Sequence, residues 1–168
     1  MKISLSNYPH NGERFTRYTI EQMQQLVSDA QHDPNIVQAA REIVAGCRPK
    51  DYFGEAEALF NWVKGNIRYT RDPYNCEWVQ SPEVTLREGF ADCDCGAVLL
   101  ASLFSAIGLP SGFEAIKADG THPDEFSHVY AIVQTPRGWR AADWTVPSSY
   151  FGWSPIEAVY GRQIFLNS

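Results

Sequence analysis

The feature of this sequence that most constrains its fold is an almost uninterrupted apolar segment that begins beside a pair of cysteines. Residues 94–107 read DCGAVLLASLFSAI, and Gly108-Leu109-Pro110 follow at once. A helix that is apolar nearly all round lies inside a fold and not on its surface. Glycine and proline just after the apolar run are typical of a helix end. We therefore predict a helix over residues 94–107 at the centre of the core.

Three further helices are predicted upstream of this segment. Thr19 is a capping candidate for a helix from Ile20 to about Gln31. Asp33-Pro34 opens a second helix, which Gly46 ends, because proline is tolerated at the first helical position. A third helix fits Glu55 to about Asn66. Its apolar face consists of Ala56, Leu59, Phe60 and Val63.

The rest of the chain has strand and loop patterns. A short strand is predicted at 67–70, and an irregular polar loop at 74–90 with a short turn near 81–83. Three strands follow the central helix, and Thr135-Pro136-Arg137-Gly138 forms a hairpin turn between the last two. These strands are predicted at 112–116, 127–134 and 139–146. Helices first and antiparallel strands afterwards predict an α+β architecture.

Charge and composition limit the classes of function. The 168-residue chain has a formal net charge of −6 and no cluster of Lys and Arg that could face phosphates. Its longest apolar run, 96–108, is shorter than a membrane span. The N-terminus has no apolar block of signal-peptide length. We expect one cytoplasmic domain with neither nucleic acid nor membrane as a partner.

The four cysteines, Cys47, Cys76, Cys93 and Cys95, are too few and too irregularly spaced for a disulfide framework, so reduced thiols are expected. Cys95 is interpreted as a second small residue on the first helical turn, although a Cys93–Cys95 disulfide is an alternative under oxidation. A zinc site made by Cys93, Cys95, His128 and either Cys47 or Cys76 is disfavoured by the C-x-C spacing. Neither a metal nor a cofactor is predicted.

Cys93 is the candidate nucleophile because it begins the central helix. Unpaired N–H groups at a helix start favour a thiolate and can also hold an oxyanion. The neighbouring carboxylates of Asp92 and Asp94 oppose thiolate formation, so the helix start and a protonated histidine must outweigh them. A purely structural cysteine is the alternative interpretation.

His128 and Asp143 are the candidate base and its orienting partner. Period-two alternation places His128, Tyr130 and Ile132 on one face of a strand. Asp143, on the next strand, needs a polar partner because an unpaired buried carboxylate is costly. A hairpin loop of two or four residues puts Asp143 diagonal to His128, whereas a three-residue loop turns it to the other face, and the sequence leaves both open. His122, on a loop, is the competing base.

Residues 92–110 resemble the active-site helix of the transglutaminase-like superfamily, a group with the papain fold. Members read G-D-C-D-D, then an Ala- and Leu-rich helix, then G-[IL]-P. This pattern aligns Cys93, and not Cys95, with the nucleophile. Ser127-His128-Val129-Tyr130 resembles the histidine strand, and Trp139, Asp143 and Thr145 fit the W-x₃-D-x-T element. The chain departs from the pattern at Ala91 and Cys95.

The resemblance covers about 55–146 and implies a papain-like α+β fold, in which a central buried helix that carries the nucleophile packs on an antiparallel sheet. It divides the single domain, 1–168, into a helical N-terminal extension at 1–53, a catalytic core at 54–146 and an aromatic tail at 147–168.

The mechanism that the resemblance implies is attack by the Cys93 thiolate on an amide carbonyl. His128 would move the proton, Asp143 would orient His128, and the backbone N–H of Cys93 would bind the oxyanion. Further candidates for oxyanion or substrate contacts are Trp78, Gln80, Asp94 and Trp144.

Three functions fit this mechanism or its scaffold. Water as the acceptor gives a cysteine peptidase or amidase, which is the preferred interpretation, and the expected partner is a peptide or protein substrate. A lysine amine as the acceptor gives a cross-linking amine transferase. A non-catalytic peptide-binding module on the same scaffold is the third possibility.

Overall fold

The fold was analysed on a computed structural model that describes residues 1–4, 13–71, 78–155 and 160–168. Asp72 and Cys76 lie outside the described residues. In chain order the elements are β1 (Lys2–Ser4), α1 (Glu13–Ala30), α2 (Pro34–Val44), α3 (Tyr52–Asn66), β2 (Arg68–Tyr69), β3 (Trp78–Gln80), α4 (Pro82–Glu88), β4 (Phe90–Ala91), α5 (Cys93–Ala106), β5 (Ser111–Lys117), β6 (His128–Thr135), β7 (Gly138–Ala142) and β8 (Gly161–Leu166).

The apolar helix α5 is the centre of the core, as predicted. All ten residues from Cys95 to Phe104 are buried. Strand β6 packs against α5, and the helices α1, α2, α3 and α4 also contact it. Because α5 has no polar face to turn toward water, the fold surrounds it with a sheet and four helices.

The main sheet has four strands in the order β7-β6-β5-β8, and every neighbouring pair is antiparallel. Alternate residues of β6 divide between its two faces. Val129 and Ala131 belong to the core cluster that contains α5, whereas Tyr130 and Ile132 pack with Ile116 in a second cluster. The predicted α+β class is therefore confirmed.

The helix predictions are confirmed with two corrections at their starts. Asp33 caps α2 as expected, since its Oδ1 accepts the N–H of Asn35 at 2.8 Å. Thr19 does not cap α1, which already begins at Glu13; its hydroxyl donates to the carbonyl of Phe15 at 3.0 Å inside the helix. Helix α3 begins at Tyr52 and not at Glu55, because Asp51 supplies the cap.

The largest corrections concern short elements. The described part of the predicted loop at 74–90 contains β3, α4 and β4, which are three, seven and two residues long. Elements this short carry too little periodicity for pattern analysis to detect. Strand β8, in the predicted tail, was also missed; its six residues are mostly exposed and show no two-residue alternation of burial, and it pairs with β5. Strand β7 ends at Ala142 and not at 146, since Asp143 binds the N–H of Thr145 in a turn.

None of the helices in the described part of the chain is long and apolar enough to cross a membrane.

Gly96 is required by the packing of α5. A Cβ atom at this position would lie 2.2–2.3 Å from three atoms of the Trp144 indole, well inside van der Waals contact. The indole therefore fits against the first turn of α5 only because Gly96 has no side chain.

We predict that Gly96→Ala lowers the free energy of unfolding by about 1–3 kcal/mol, because overpacking forces the indole to shift. Urea denaturation measures the change. Gly65→Ala is the matched control: Gly65 lies in α3, and a Cβ there meets no atom within 4 Å. The control should be neutral or stabilising by up to about 1 kcal/mol. A Gly96→Ala protein as stable as the control would contradict this account of the packing.

Candidate active site

Cys93 is the first residue of α5, and two local interactions fix the start of that helix. The Oδ1 atom of Asp92 accepts the N–H of Cys95 at 2.9 Å, which is an N-cap bond. Just before it, β4 pairs in parallel with β2, and the N–H of Thr70 donates to the carbonyl of Ala91 at 2.8 Å. Cys93 is partly buried at this rigid junction.

His128 and Asp143 are joined by a hydrogen bond. His128 begins β6, and its Nε2 lies 2.8 Å from the Oδ2 of Asp143. Asp143 is 1% exposed, and its other oxygen accepts from the hydroxyl and the N–H of Thr145 at 2.8 and 3.2 Å. A carboxylate can only accept, so Nε2 carries a proton, and in the neutral imidazole Nδ1 is the nitrogen that can accept one.

The hairpin register explains how these two residues meet. Thr135 lies opposite Gly138 and Ala131 opposite Ala142, as a two-residue loop requires. The same register, continued past the end of β7, places Asp143 opposite Tyr130 and diagonal to His128. Of the two registers that the sequence left open, the structure has the one that brings both side chains to one face.

The charge state of Asp143 follows from its surroundings. Burial alone would raise the pKa of Asp143, but the hydrogen bond and charge of His128 and the two hydrogen bonds from Thr145 outweigh it. The pKa of Asp143 therefore lies below its usual value, and the carboxylate is ionised at neutral pH.

Lys64, which the sequence analysis missed, holds the turn that follows Asp143. Its Nζ donates to the carbonyl of Val146 at 2.8 Å and to the hydroxyl of Ser149 at 2.7 Å. The Ser149 hydroxyl donates in turn to the Asp143 carbonyl at 2.6 Å. Burial lowers the pKa of Lys64, and the charge of Asp143 acts against this. No sequence signal links a lysine on α3 to a turn about 80 residues later.

Cys93 and His128 line the same cleft, which has a volume of about 230 Å³. Helix α1 forms one wall, and the segment 125–129 with Ala115 forms the other. Asp94 also lines this cleft, whereas Trp78, Gln80 and Trp144 do not. The structure thus brings together Cys93, Asp94 and His128 in one cleft, with Asp143 behind the histidine.

The thiol of Cys93 is protonated in this arrangement. Its Sγ donates to Oδ1 of Asp94 at 3.1 Å. Burial raises the pKa of Cys93 well above its usual value, the charges of Asp94 and Asp92 raise it further, and only the N–H of Val129 acts in the opposite direction. Nucleophilic attack therefore requires that the thiol proton leave for a base.

Trp78 and Gln80 lie on β3 beside the other cysteine. The Sγ of Cys95 donates to the Trp78 carbonyl and accepts the N–H of Gln80, both at 3.4 Å. The Gln80 amide donates to Thr85 at 2.9 Å and to the Phe90 carbonyl at 3.4 Å. Each described N–H of Gln80 thus has a partner within the protein. The oxyanion role suggested for Gln80 and Trp78 stays a prediction without geometric support.

Trp144 has a buried donor for which the described part of the chain holds no acceptor. The residue is 4% exposed, and among the described residues nothing accepts a hydrogen bond from its Nε1. The indole lies against Gly96, three residues after Cys93 on α5, and its ring centre is 5.8 Å from that of Tyr69. Buried unpaired donors are rare, so this N–H at the first turn of α5 calls for a function.

The structure gives less support to His122 as the base and to a zinc site that includes Cys95. His122 is exposed on a loop, where its Nδ1 lies 3.1 Å from Oδ2 of Asp119. The thiol of Cys95 is directed to β3, away from a shared site with His128. Within the part of the chain that the structure describes, no three His, Cys, Asp or Glu side chains gather as metal ligands.

A family model for the transglutaminase-like superfamily matches residues 37–144. This chain belongs to the transglutaminase-like superfamily. The matched segment of this transglutaminase-like protein contains Cys93, His128 and Asp143, whereas α1 and β8 lie outside it.

Two solved structures share the fold. One is described as a candidate protease from Parabacteroides distasonis, with 12% identity and a TM-score of 0.54 over 79% of this chain and 27% of that one. The other is described as a candidate cysteine protease from Cytophaga hutchinsonii, with 16% identity and a TM-score of 0.53 over 96% of this chain and 53% of that one. This chain thus spans well under two thirds of either structure. No curated protein matches the sequence.

We predict that Asp94→Asn lowers the pKa of Cys93, because it removes a negative charge and a hydrogen bond that both favour the thiol. Alkylation of Cys93 by iodoacetamide at pH 7, followed by mass spectrometry, should accelerate about tenfold for each pKa unit recovered. Asp124→Asn is the control, because it removes one negative charge from the exposed loop and not from the side chain that contacts Cys93. An unchanged or slower Cys93 reaction would show that Asp94 does not hold the thiol proton.

Proposed function

We propose that this protein is a cysteine hydrolase that cleaves peptide or amide bonds through a thioester acyl-enzyme. The hydrogen bond between His128 and Asp143, at a cleft that also contains the helix-start thiol of Cys93, is the observation that carries the proposal. The three residues come from three separate elements, α5, β6 and the end of β7, and a structural cysteine would not need this arrangement.

The acylation step begins with proton transfer. Nδ1 of His128 takes the thiol proton, which leaves the hydrogen bond to Asp94, and the ionised Asp143 stabilises the imidazolium that forms. The Cys93 sulfur then attacks the carbonyl carbon, and a C–S bond forms. The C–N bond breaks as His128 returns the proton to the leaving amine, so a thioester and a free amine result.

The deacylation step uses water. His128 accepts a proton from water as the water oxygen attacks the thioester carbonyl. The C–S bond breaks, the sulfur regains its proton, and a carboxylic acid leaves. Both steps pass through an oxyanion on the former carbonyl oxygen.

Two N–H groups are assigned to this oxyanion. The first is the backbone N–H of Cys93, which has no partner within its own helix because it lies in the first turn. The second proposed donor is the Nε1–H of Trp144, which is buried against Gly96 in the same turn, has no acceptor among the described residues, and must turn toward the cleft that it does not line in this structure.

Hydrolysis is favoured over transfer to a lysine amine by the fold comparison. The two solved structures compared above are described as candidate proteases, one of them as a cysteine protease. The substrate proposed for this chain is accordingly a peptide or protein, and the acceptor is water. The roles assigned to the residues are the same whether water or an amine attacks the thioester.

The proposed role of Trp144 is tested by Trp144→Phe. We expect kcat to fall about 100-fold with KM changed less than about threefold, because a donor used only in the transition state is lost. Trp139→Phe is the matched control, since Trp139 is 38% exposed on β7 and does not line the cleft. If Trp144→Phe leaves kcat near the wild-type value, the second donor lies elsewhere.

The proposed activity is tested by digesting a mixed peptide library in H₂¹⁸O and identifying the new C-termini by mass spectrometry. Cleavage should place one ¹⁸O in each new carboxyl group. It should fall at least about 1,000-fold in both Cys93→Ser and His128→Ala.

A parallel digestion with methylamine separates the two chemistries. Incorporation of methylamine in place of ¹⁸O would identify an amine transferase. If no peptide is modified, or if Cys93→Ser still cleaves peptides, the proposal of a cysteine hydrolase is contradicted.

A further inference from the structure

Lys64 is partly buried on α3, and all the protons of its ammonium group are used in the turn that follows Asp143. The Nζ atom donates to the carbonyl of Val146 at 2.8 Å, to the carbonyl of Ser149 at 2.5 Å and to the hydroxyl of Ser149 at 2.7 Å. An ammonium group has three protons, so these three bonds use every donor that it has. Lys64 therefore differs from a solvated surface lysine, because its head group binds only this turn.

The position of Lys64 on α3 is itself fixed. Its neighbour Val63 and Phe60, one helical turn earlier, are both 0% exposed, and α3 packs against α5. The Nζ atom also lies 5.9 Å from the centre of the Phe60 ring, which is within cation–π distance. Lys64 thus links the packed core of the fold to the 146–149 turn.

The Ser149 hydroxyl transmits this contact to Asp143. Because its oxygen accepts the bond from Lys64, its single proton is left for another acceptor, and it donates to the Asp143 carbonyl at 2.6 Å. Ser149 is 7% exposed, and its N–H donates to the carbonyl of Val146 at 3.0 Å, which closes the turn. A chain of hydrogen bonds therefore runs from Lys64 through Ser149 to the backbone of the residue that orients His128.

The sheet alone does not fix Asp143. Strand β7 ends at Ala142, which pairs with Ala131, so Asp143 is the first residue beyond the paired segment. The bonds from Thr145 to the Asp143 carboxylate lie within the same turn and move with it. Hydrogen bonds weaken steeply as their angle departs from the preferred one, so a displaced Asp143 backbone would weaken the bond to Nε2 of His128.

We propose that Lys64 is a positioning residue for the reaction at Cys93: through Ser149 it fixes the backbone of Asp143, and thereby the hydrogen bond that holds His128 ready to take the thiol proton. Lys64 does not line the cleft, so it acts through these residues and not on the substrate. The proposal rests on the proposed function for the role of His128 as the base.

The test compares Lys64→Met with Lys50→Met as the matched control. Methionine keeps most of the length of the lysine stem and removes its three donors, and Lys50 is exposed just before α3. Alkylation of Cys93 by iodoacetamide from pH 4 to 10, read by mass spectrometry, reports on removal of the thiol proton. Lys64→Met should slow this reaction about tenfold at pH 7 and shift its profile to higher pH, because a poorly oriented His128 takes the proton less readily. Lys50→Met should match the wild type.

Two double variants separate positioning from a general loosening of the fold. Ser149→Ala breaks the chain of hydrogen bonds at its middle and should slow Cys93 as Lys64→Met does, and the two together should be no slower than either alone. Lys64→Met should add no further slowing in the His128→Ala protein, because Lys64 acts through His128. Ser149→Ala alone gives the test if Lys64→Met does not fold. An unchanged Cys93 profile, additive effects of Lys64→Met and Ser149→Ala, or equal slowing with and without His128 would overturn the proposal.

Labelling histidine with ¹⁵N gives an independent readout. The chain has four histidines, and the spectrum of His128→Ala assigns the signals of His128. In the wild type the neutral ring should carry its proton on Nε2, because Asp143 accepts it. Lys64→Met should raise the share of the tautomer with the proton on Nδ1, which loss of stability alone would not do. An unchanged share would overturn the proposal.

Neither measurement requires a peptide substrate. If Cys93 alkylation and the His128 tautomer depend on Lys64 in a protein that cleaves no peptide, the positioning role is supported and the hydrolase is refuted. If peptides are cleaved, Lys64→Met should lower kcat about tenfold with KM changed less than about threefold. Peptide cleavage with a kcat that Lys64→Met leaves unchanged would support the hydrolase and refute the positioning role.

Discussion

The burial of α5 from Cys95 to Phe104 is the constraint on which the rest of this structure depends. A helix that is apolar on every side must be enclosed, and here strand β6 and four helices enclose it. Its first turn, with Cys93 and Asp94, is partly exposed and lines the cleft. Core packing and the position of the Cys93 thiol therefore have a common cause.

The site is polar although the core around it is apolar, and a chain of hydrogen bonds offsets the free-energy cost of burying its charged groups. Asp143 is almost fully buried and has three donors, one from His128 and two from Thr145. Lys64 and Ser149 fix the turn behind it. A buried carboxylate that lost its donors would be strongly destabilising. The network thus holds His128 in one orientation with Nδ1 available, which an apolar packing could not do.

Much of this could be predicted from the sequence because the strongest patterns are local. The apolar run of α5, the Asp33-Pro34 helix start and the alternation of β6 are each set by residues that are close together in the sequence. The structure confirms all three. The hairpin register could be limited to two possibilities but not decided, since turn geometry and not hydrophobicity selects between them.

What could not be predicted depends on contacts between distant parts of the chain. The role of Lys64 arises only when α3 meets the 146–149 turn. The Trp144 N–H, which has no acceptor among the described residues, is buried only when its indole lies on Gly96. The cleft wall from α1 was missed because a helix of ordinary amphipathic pattern carries no sign of what its apolar face covers. Gln80, polar and near the cysteines in sequence, instead has its donors used within the fold.

The account's central claim is that His128 controls the reactivity of Cys93, and site-resolved alkylation from pH 4 to 10 tests it most directly. Iodoacetamide is applied to the wild type and to His128→Ala, and each cysteine is read by mass spectrometry. The account predicts that His128→Ala slows the Cys93 reaction and shifts its profile to higher pH, because the base that takes the thiol proton is lost, while the Cys47 reaction is unchanged. A Cys93 profile that is the same with and without His128 would contradict the claim and leave a peptide-binding module as the function of the cleft.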